Sequence, residues 1–304
     1  MPTAPQAPPA ELCAADSGPV SLHARDVVFD FSQSPLEWIP GEAVASHTIS
    51  ALNLMLPVGE KMFVEIFGRA LPHIKDEQLR QDVIGFIGQE QIHASTHDHA
   101  LSEFFVNHGI DVAAFTASCE SFLEVFRTQL DRLSAEAEYR IVVFGVGMIA
   151  GLEHFTATGG DWLLNHDFEK YGADPVITDM FRWHGAEEVE HRSVAYDLAR
   201  HFGVSRGTLV AQYIAMTGAV LSGLVVGGAL ITKGDPRVPN VGPITALRLA
   251  TKAMNSGSLF SWKMIGSAFR AYLRPDFTPE SIGSTAQAVA YLAKSPAAKA
   301  ASHA

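Results

Sequence analysis

The chain has 304 residues, 47% of them apolar and 18% charged, which sets aside disorder over most of its length and allows one large core or two. A net charge of −11 excludes nucleic acid as a partner, because phosphate binding asks for a basic surface. Two cysteines, Cys13 and Cys119, are too few for a disulfide framework or a thiolate metal site, so a reducing interior such as the cytoplasm is the expected location.

Residues 1–20 are rich in Pro and Ala, lack the basic and apolar regions of a signal peptide, and read as a disordered leader. Residues 21–44 follow as an extended lead-in packed on helices, since Pro35 and Pro40 limit any strand around Val27–Phe31. A first helix is expected from Val44 to Leu56, stopped by Pro57, and a second from Val58 to Leu71, with Pro72 after it. A third opens on Asp76 as N-cap and ends near Asn107, before His108-Gly109. A helix within 111–132 comes next. Ser134 then caps one that reaches about His166 through a weak point at Gly159-Gly160. Asp174-Pro175 opens another, with Pro at its first position, running to about His201. No segment alternates like a strand over a useful length, so the fold class is all-α.

From Gly207 to Thr232 the chain carries no charge over 26 residues, more than the ~20 that span a bilayer as a helix. It reads either as a fully buried helix or as one in contact with a membrane, with Gly223 and Gly227 as a packing face. Two or three shorter helices are expected beyond it, one of which, SLFSWKMIGSAFRAYLR, is amphipathic and suited to docking or to a membrane surface. The domain reading is therefore a leader at 1–20, a bundle at 21–205, a C-terminal helical extension at 206–295 and a tail at 296–304.

Eight of the 13 histidines lie between His73 and His201, and their spacing is informative. Glu90, His93 and His97 fall within about 60° of one helix face, and His184, Glu187, Glu188 and His191 within about 100° of another. Glu190 lies outside that arc. Glu and His one turn apart can reach one ion, or the carboxylate can bridge two, and bundles of this kind draw further carboxylates from two other helices. Glu153 interrupts the uncharged run Ile141–Leu152 and would be expensive to bury unpaired. Glu60 shares the apolar face of Phe63, Val64, Phe67 and Leu71, and is preferred to Glu65. The order Glu60, Glu90-x-x-His93, Glu153, Glu188-x-x-His191 repeats at hairpin intervals, with room for a long crossover between His93 and Glu153. These six residues are the expected ligands of two metal ions, with His97, His184, Glu187 and His154 as ligands or neighbours. A ligand set without thiolate suits iron first, then manganese or zinc.

The segments LPVGEKMF, IGQEQIHASTH, GLEHFTA and WHGAEEVEHRSVAYD resemble the bacterial family described as predicted metal-dependent hydrolases, which belongs with the ferritin-like proteins. The likeness covers roughly residues 25–280, and Thr278 stands where it leads one to expect His. By that resemblance Glu60, Glu90, His93, His97, Glu153, His154, Glu187, Glu188 and His191 match the family's acidic and histidine positions. It implies a ferritin-like four-helix bundle with a long crossover and added C-terminal helices. Bundles with this order resemble oxygen-activating enzymes more than hydrolases. The expectation is therefore a di-iron oxidase or hydroxylase, served by an electron donor and acting on a small molecule or lipid. A hydrolase using activated water is the alternative, and a metal-storage protein the second. Contact with the inner face of the membrane and a homodimer are both compatible with the sequence.

Overall fold

The computed structural model describes residues 21–238 and 243–302. The leader at 1–20, with Cys13, lies outside the described residues. Among those described there is no strand, and the chain is all-α. Residues 21–31 carry no regular structure, with Val27, Phe29 and Phe31 alternating inward, and a stretch of turns then buries Leu36, Trp38 and Ile39.

Two short helices do not divide where the prolines stand. α1 covers Ala43–Ser50 and α2 covers Leu52–Ala70, with Pro57 inside α2. Pro57 removes one N–H from the ladder, yet the face of Leu54, Pro57, Glu60 and Phe63 is buried as one stripe, and that packing carries the helix through. α3, Glu77–Ala100, has the expected cap, as the Asp76 carboxylate accepts from the Leu79 N–H. It runs on through a π turn at Leu101–Phe105 and the chain reverses at Gly109, whose φ of +73° suits only a residue without a side chain. α4, Ala113–Asp131, crosses over to α5, Ala135–Asn165, which Ser134 caps.

α5 does not weaken at Gly159-Gly160. Gly160 instead faces Gly185 of α6, Pro175–His191, and a Cβ on Gly160 would lie 2.3 Å from the Gly185 carbonyl oxygen. The two glycines let the backbones touch, which sets Glu153 of α5 against α6. Asp174 caps α6 as expected, accepting from the N–H groups of Val176 and Ile177. α6 ends at His191 rather than His201, and α7 covers Val194–His201. The Arg192 guanidinium turns back onto the Val189 carbonyl, the acceptor a continuing helix would have given to the Ser193 N–H.

α8, Arg206–Gly234, follows, then α9 at Pro243–Ser256, α10 at Trp262–Leu273, α11 at Thr285–Leu292 and α12 at Pro296–Ala301. The described part of the segment read as a tail is thus helical: Ala297 and Ala298 are buried, and the Asp179 carboxylate accepts from the Ala297 N–H. α2 packs on α3 and α5 on α6, while α2 touches α5 and α3 touches α6, so four helices close around a common interior. Along α2, α3 and α5 an apolar cluster holding Phe63, Phe67, Phe86 and Val146 gives way to a second one, which holds Trp38 and Phe104 and, from α6, Phe181 and Trp183. The acidic and imidazole side chains lie between the two.

Candidate metal centre

All six expected ligands are buried: Glu60 from α2, Glu90 and His93 from α3, Glu153 from α5, Glu188 and His191 from α6. Five of them, with His97 and His184, converge as two adjoining groups, and Glu153 lies beside the first, its Oε2 3.1 Å from His191 Nδ1. Ligand atoms of Glu90, His93, Glu188 and His191 lie within 4.8 Å of one another, and so do those of Glu60, His97 and His184. The groups meet where His184 Nε2 stands 2.9 Å from Glu188 Oε1. His97 and His184, the outlying histidines of the two stripes, thus belong to the interior with Glu60.

Each of three imidazoles turns one nitrogen inward and has an oxygen behind the other. His93 Nδ1 faces Glu90 Oε1 at 3.7 Å and Glu188 Oε1 at 3.6 Å, while Nε2 is 3.0 Å from Glu187 Oε2. His191 Nε2 faces Glu90 Oε1 at 3.6 Å, and Nδ1 lies 3.1 Å from Glu153 Oε2, though not aligned to donate to it. His97 Nδ1 meets Asn53 Oδ1 at 2.7 Å, and Nε2 faces His184 Nδ1 at 2.9 Å and Glu60 Oε1 at 3.8 Å. Metal-bound imidazoles have this backing, which fixes the ring and its tautomer. Two nitrogens bound at a right angle, each about 2.1 Å from one ion, lie about 3.0 Å apart, the spacing of the His97–His184 pair.

Most of the inward oxygens have no hydrogen-bond partner. Both carboxylate oxygens of Glu60, Glu90 and Glu153 are buried without a hydrogen bond, as are Glu188 Oε2 and His93 Nδ1. Buried polar atoms are nearly always paired, so this concentration of unpaired ones is the signature of a cation site. The residues fit divalent metal ions.

The electrostatics agree. Burial, then the neighbouring Glu90, pushes the Glu60 carboxyl well above its usual range. Burial also raises Glu153, and raises Glu90 to about 7. Burial would raise Glu188 too, but His191, His184 and His93 hold it low. Burial outweighed by Glu187 and Glu90 leaves His93 raised, whereas burial lowers His97, His184 and His191, the last to about 4. A cation among them would oppose the upward shifts of Glu60, Glu90 and Glu153.

Three expected residues stand outside both groups, Glu153 behind His191 among them. Glu187 belongs to a buried shell behind His93, where it accepts from Arg25 Nη1 at 2.6 Å and Trp183 Nε1 at 3.2 Å. His154 turns away from the centre. Its Nε2 is 3.2 Å from the Ala268 carbonyl oxygen, its ring sits among Tyr213, Tyr272 and Phe277, and burial lowers it to about 4. Sequence reasoning missed Arg25, Gln89, Glu190 and Asn53. Arg25 pairs with Glu190 as well as Glu187, and Gln89 donates to Glu190. Glu190 lies outside the ligand arc because it serves this shell, and nothing in the lead-in marks Arg25 as its partner.

A cavity of about 130 Å³ adjoins the centre. Glu60, His184 and Glu188 form its polar wall, and the rest is mainly apolar, including Leu56, Phe155 and Trp162 from the bundle, Val220 and Leu224 from α8 and Met264 from α10.

The model of a family described as predicted metal-dependent hydrolase matches residues 23–283. No curated protein and no solved structure matches the chain. The family's description as predicted metal-dependent hydrolase overturns the expectation of a dioxygen-activating oxidoreductase. Metal-dependent hydrolysis, the alternative reading, replaces it, and the buried Glu/His groups are compatible with it.

Proposed function

The chain belongs to the predicted metal-dependent hydrolase family, and from that premise we propose that it is a ferritin-like di-metal hydrolase cleaving an ester or amide attached to an apolar chain. The observation that carries this reading is the cavity with Glu60, His184 and Glu188 as its polar wall and a mainly apolar lining beyond. A carbonyl held at that wall would place its hydrocarbon substituent along Phe155, Trp162 and Val220.

One ion would be held by Glu90, His93, Glu188 and His191, and a second by Glu60, His97 and His184. Divalent ions there supply Lewis acidity toward a carbonyl and make water more acidic. Carboxylate and imidazole sets take iron, manganese or zinc, and hydrolysis needs no change of oxidation state, which favours zinc or manganese. The protein's own part is to orient and exclude. Glu187 and Asn53 fix the rings of His93 and His97. Glu153 lies behind His191. The apolar walls keep bulk water from the bound chain.

The test is a series of p-nitrophenyl esters of increasing acyl length, assayed with metal-loaded and chelated protein. kcat/KM should rise roughly fourfold per added methylene, from about 0.8 kcal/mol each, until the cavity is filled. Cleavage that survives chelation, or that ignores chain length, would sink the reading.

A further inference from the structure

α8 is as apolar outside as inside. Its inner side packs along α1, α2 and α5, where Gly223, Gly227 and Gly228 approach Met55, Ala51 and Thr48. Its outer stripe runs Ala211, Ile214, Ala215, Gly218, Ala219, Ser222, Val225, Val226, Ala229 and Leu230, without one charge. Val225 and Val226 are 72% and 67% exposed. A helix facing water on one side normally carries polar residues there. Exposure continues onto α5 at Ile141 and Phe144, which flank a surface groove of about 310 Å³ with Met148 of α5 and Met216 of α8. That groove shares Gly59, Phe63 and Leu152 with the cavity at the metal centre.

Charge singles out the same part of the chain. Residues 206–275 hold eight basic side chains and one acidic, a net of +7, while the other residues hold 14 basic and 32 acidic, a net of −18. Lys233, Arg248, Lys252, Lys263 and Arg270 are exposed and make no ion pair among the described residues. On α10, which packs against Tyr213 of α8 through Phe269 and Tyr272, the exposed stripe is Trp262, Lys263, Ser267, Arg270 and Leu273. Aromatic and basic residues interleaved in this way suit the interface of an anionic bilayer.

We propose that the face formed by α8, the outer side of α5 and α10 docks on an anionic lipid bilayer, and that the groove beside Phe144 and Met216 admits a lipid acyl chain to the metal centre. The occupant is a bilayer rather than a second copy. Isologous pairing of this face would bring its basic flanks together, whereas an anionic leaflet neutralises them. The acyl-entry half rests on the hydrolase reading above, and the docking half does not.

Flotation of the metal-loaded full-length chain with phosphatidylcholine vesicles, with and without phosphatidylglycerol, tests the docking. Binding should favour the anionic vesicles and weaken with salt. Lys263→Glu with Arg270→Glu should weaken it roughly twentyfold or more, from a factor of about five per basic residue. Val225→Ser with Val226→Ser should also lose binding while the thermal melt is kept. Failure to bind anionic vesicles, or a dimer that the valine substitutions dissociate, overturns the docking face. Acyl entry is read in Trp262→Phe protein with phosphatidylglycerol brominated along its chains. Trp162, which lines the cavity, should be quenched, and unchanged fluorescence overturns the entry route. A water-soluble short-chain ester is assayed in parallel. Docking without hydrolysis refutes the hydrolase reading and leaves the face standing, and hydrolysis without docking does the reverse.

Discussion

The bundle interior and the outer face of α8 break the same rule in opposite directions. Between α2, α3, α5 and α6 the protein buries carboxylates and imidazoles together, and both oxygens of Glu60, Glu90 and Glu153 lack a hydrogen-bond partner. Along α8 it exposes Val225, Val226, Ile214 and Leu230, which water does not favour. A monomer alone would gain by exchanging the two. Each inversion therefore marks a missing partner, and the chemistry of each names its kind: a cation for the first, an apolar anionic surface for the second.

The comparison breaks most visibly if the interior binds no metal. Glu188 contributes to one group of ligands and touches the other through His184. Glu188→Ala should remove at least one of two bound ions per chain, measured by elemental analysis after gel filtration, and should abolish the gain in melting temperature on loading. Unchanged stoichiometry would show that the buried acids are a polar core and nothing more. The Val225→Ser and Val226→Ser pair should leave the metal content alone, since the two inversions are separate.

A smaller effect sharpens the interior half. Glu187 backs His93 and also braces Arg25. Glu187→Gln keeps the shape and removes the charge, so metal affinity should fall about 10- to 100-fold in competition with a chromophoric chelator. An unchanged affinity would assign Glu187 to Arg25 alone.

The convergence of Glu60, Glu90, His93, Glu188 and His191 was largely legible in the sequence, because helical spacing fixes which side chains share a face. What was not legible depends on contacts distant in sequence. His154 follows Glu153 directly, so it points to another face and meets Ala268 of α10. Arg25 reaches Glu187 from the extended lead-in. The helix ends show the same division. Caps at Asp76, Ser134 and Asp174 act through local hydrogen bonds and were readable. The passage of α2 through Pro57 depends on packing, and the break after His191 on the fold of the Arg192 side chain, so neither was. The oxidative expectation failed for a related reason: ligand order constrains where ions sit, and leaves the reaction open.

Acidity separates the ion-free from the loaded interior. Above pH 6.5, the ordinary imidazole value, His97, His184 and His191 are neutral folded or unfolded, since their folded values are lowered. Glu90, raised from 4.5 to about 7, Glu60 and Glu153, raised well above their usual range, and His93, raised above 6.5, all shift in one direction. All hold protons more firmly when folded, so the ion-free protein should lose stability as pH rises from 6.5 through neutrality. Metal binding requires the deprotonated ligands, so the loaded protein should hold or gain over the same window. Melting curves at a series of pH values, with and without chelator, check this. Parallel slopes would deny that the interior is built for a cation.

The smallest effect distinguishes the two sides of α8 itself. A Cβ on Gly227 would lie 2.9 Å from Ala51 Cβ, against α1 and α2, whereas nothing stands within 4 Å of one on Gly218, in the outer stripe. Gly227→Ala should therefore cost about 1–3 kcal/mol through overpacking. Gly218→Ala should stabilise by about 0.5–1 kcal/mol, because alanine loses less freedom in a helix. Chemical denaturation in the absence of lipid measures both. If Gly218→Ala proved as costly as Gly227→Ala, the outer stripe would already be packed in solution, and the contrast between a face that grips the bundle and a face left for a bilayer would fall.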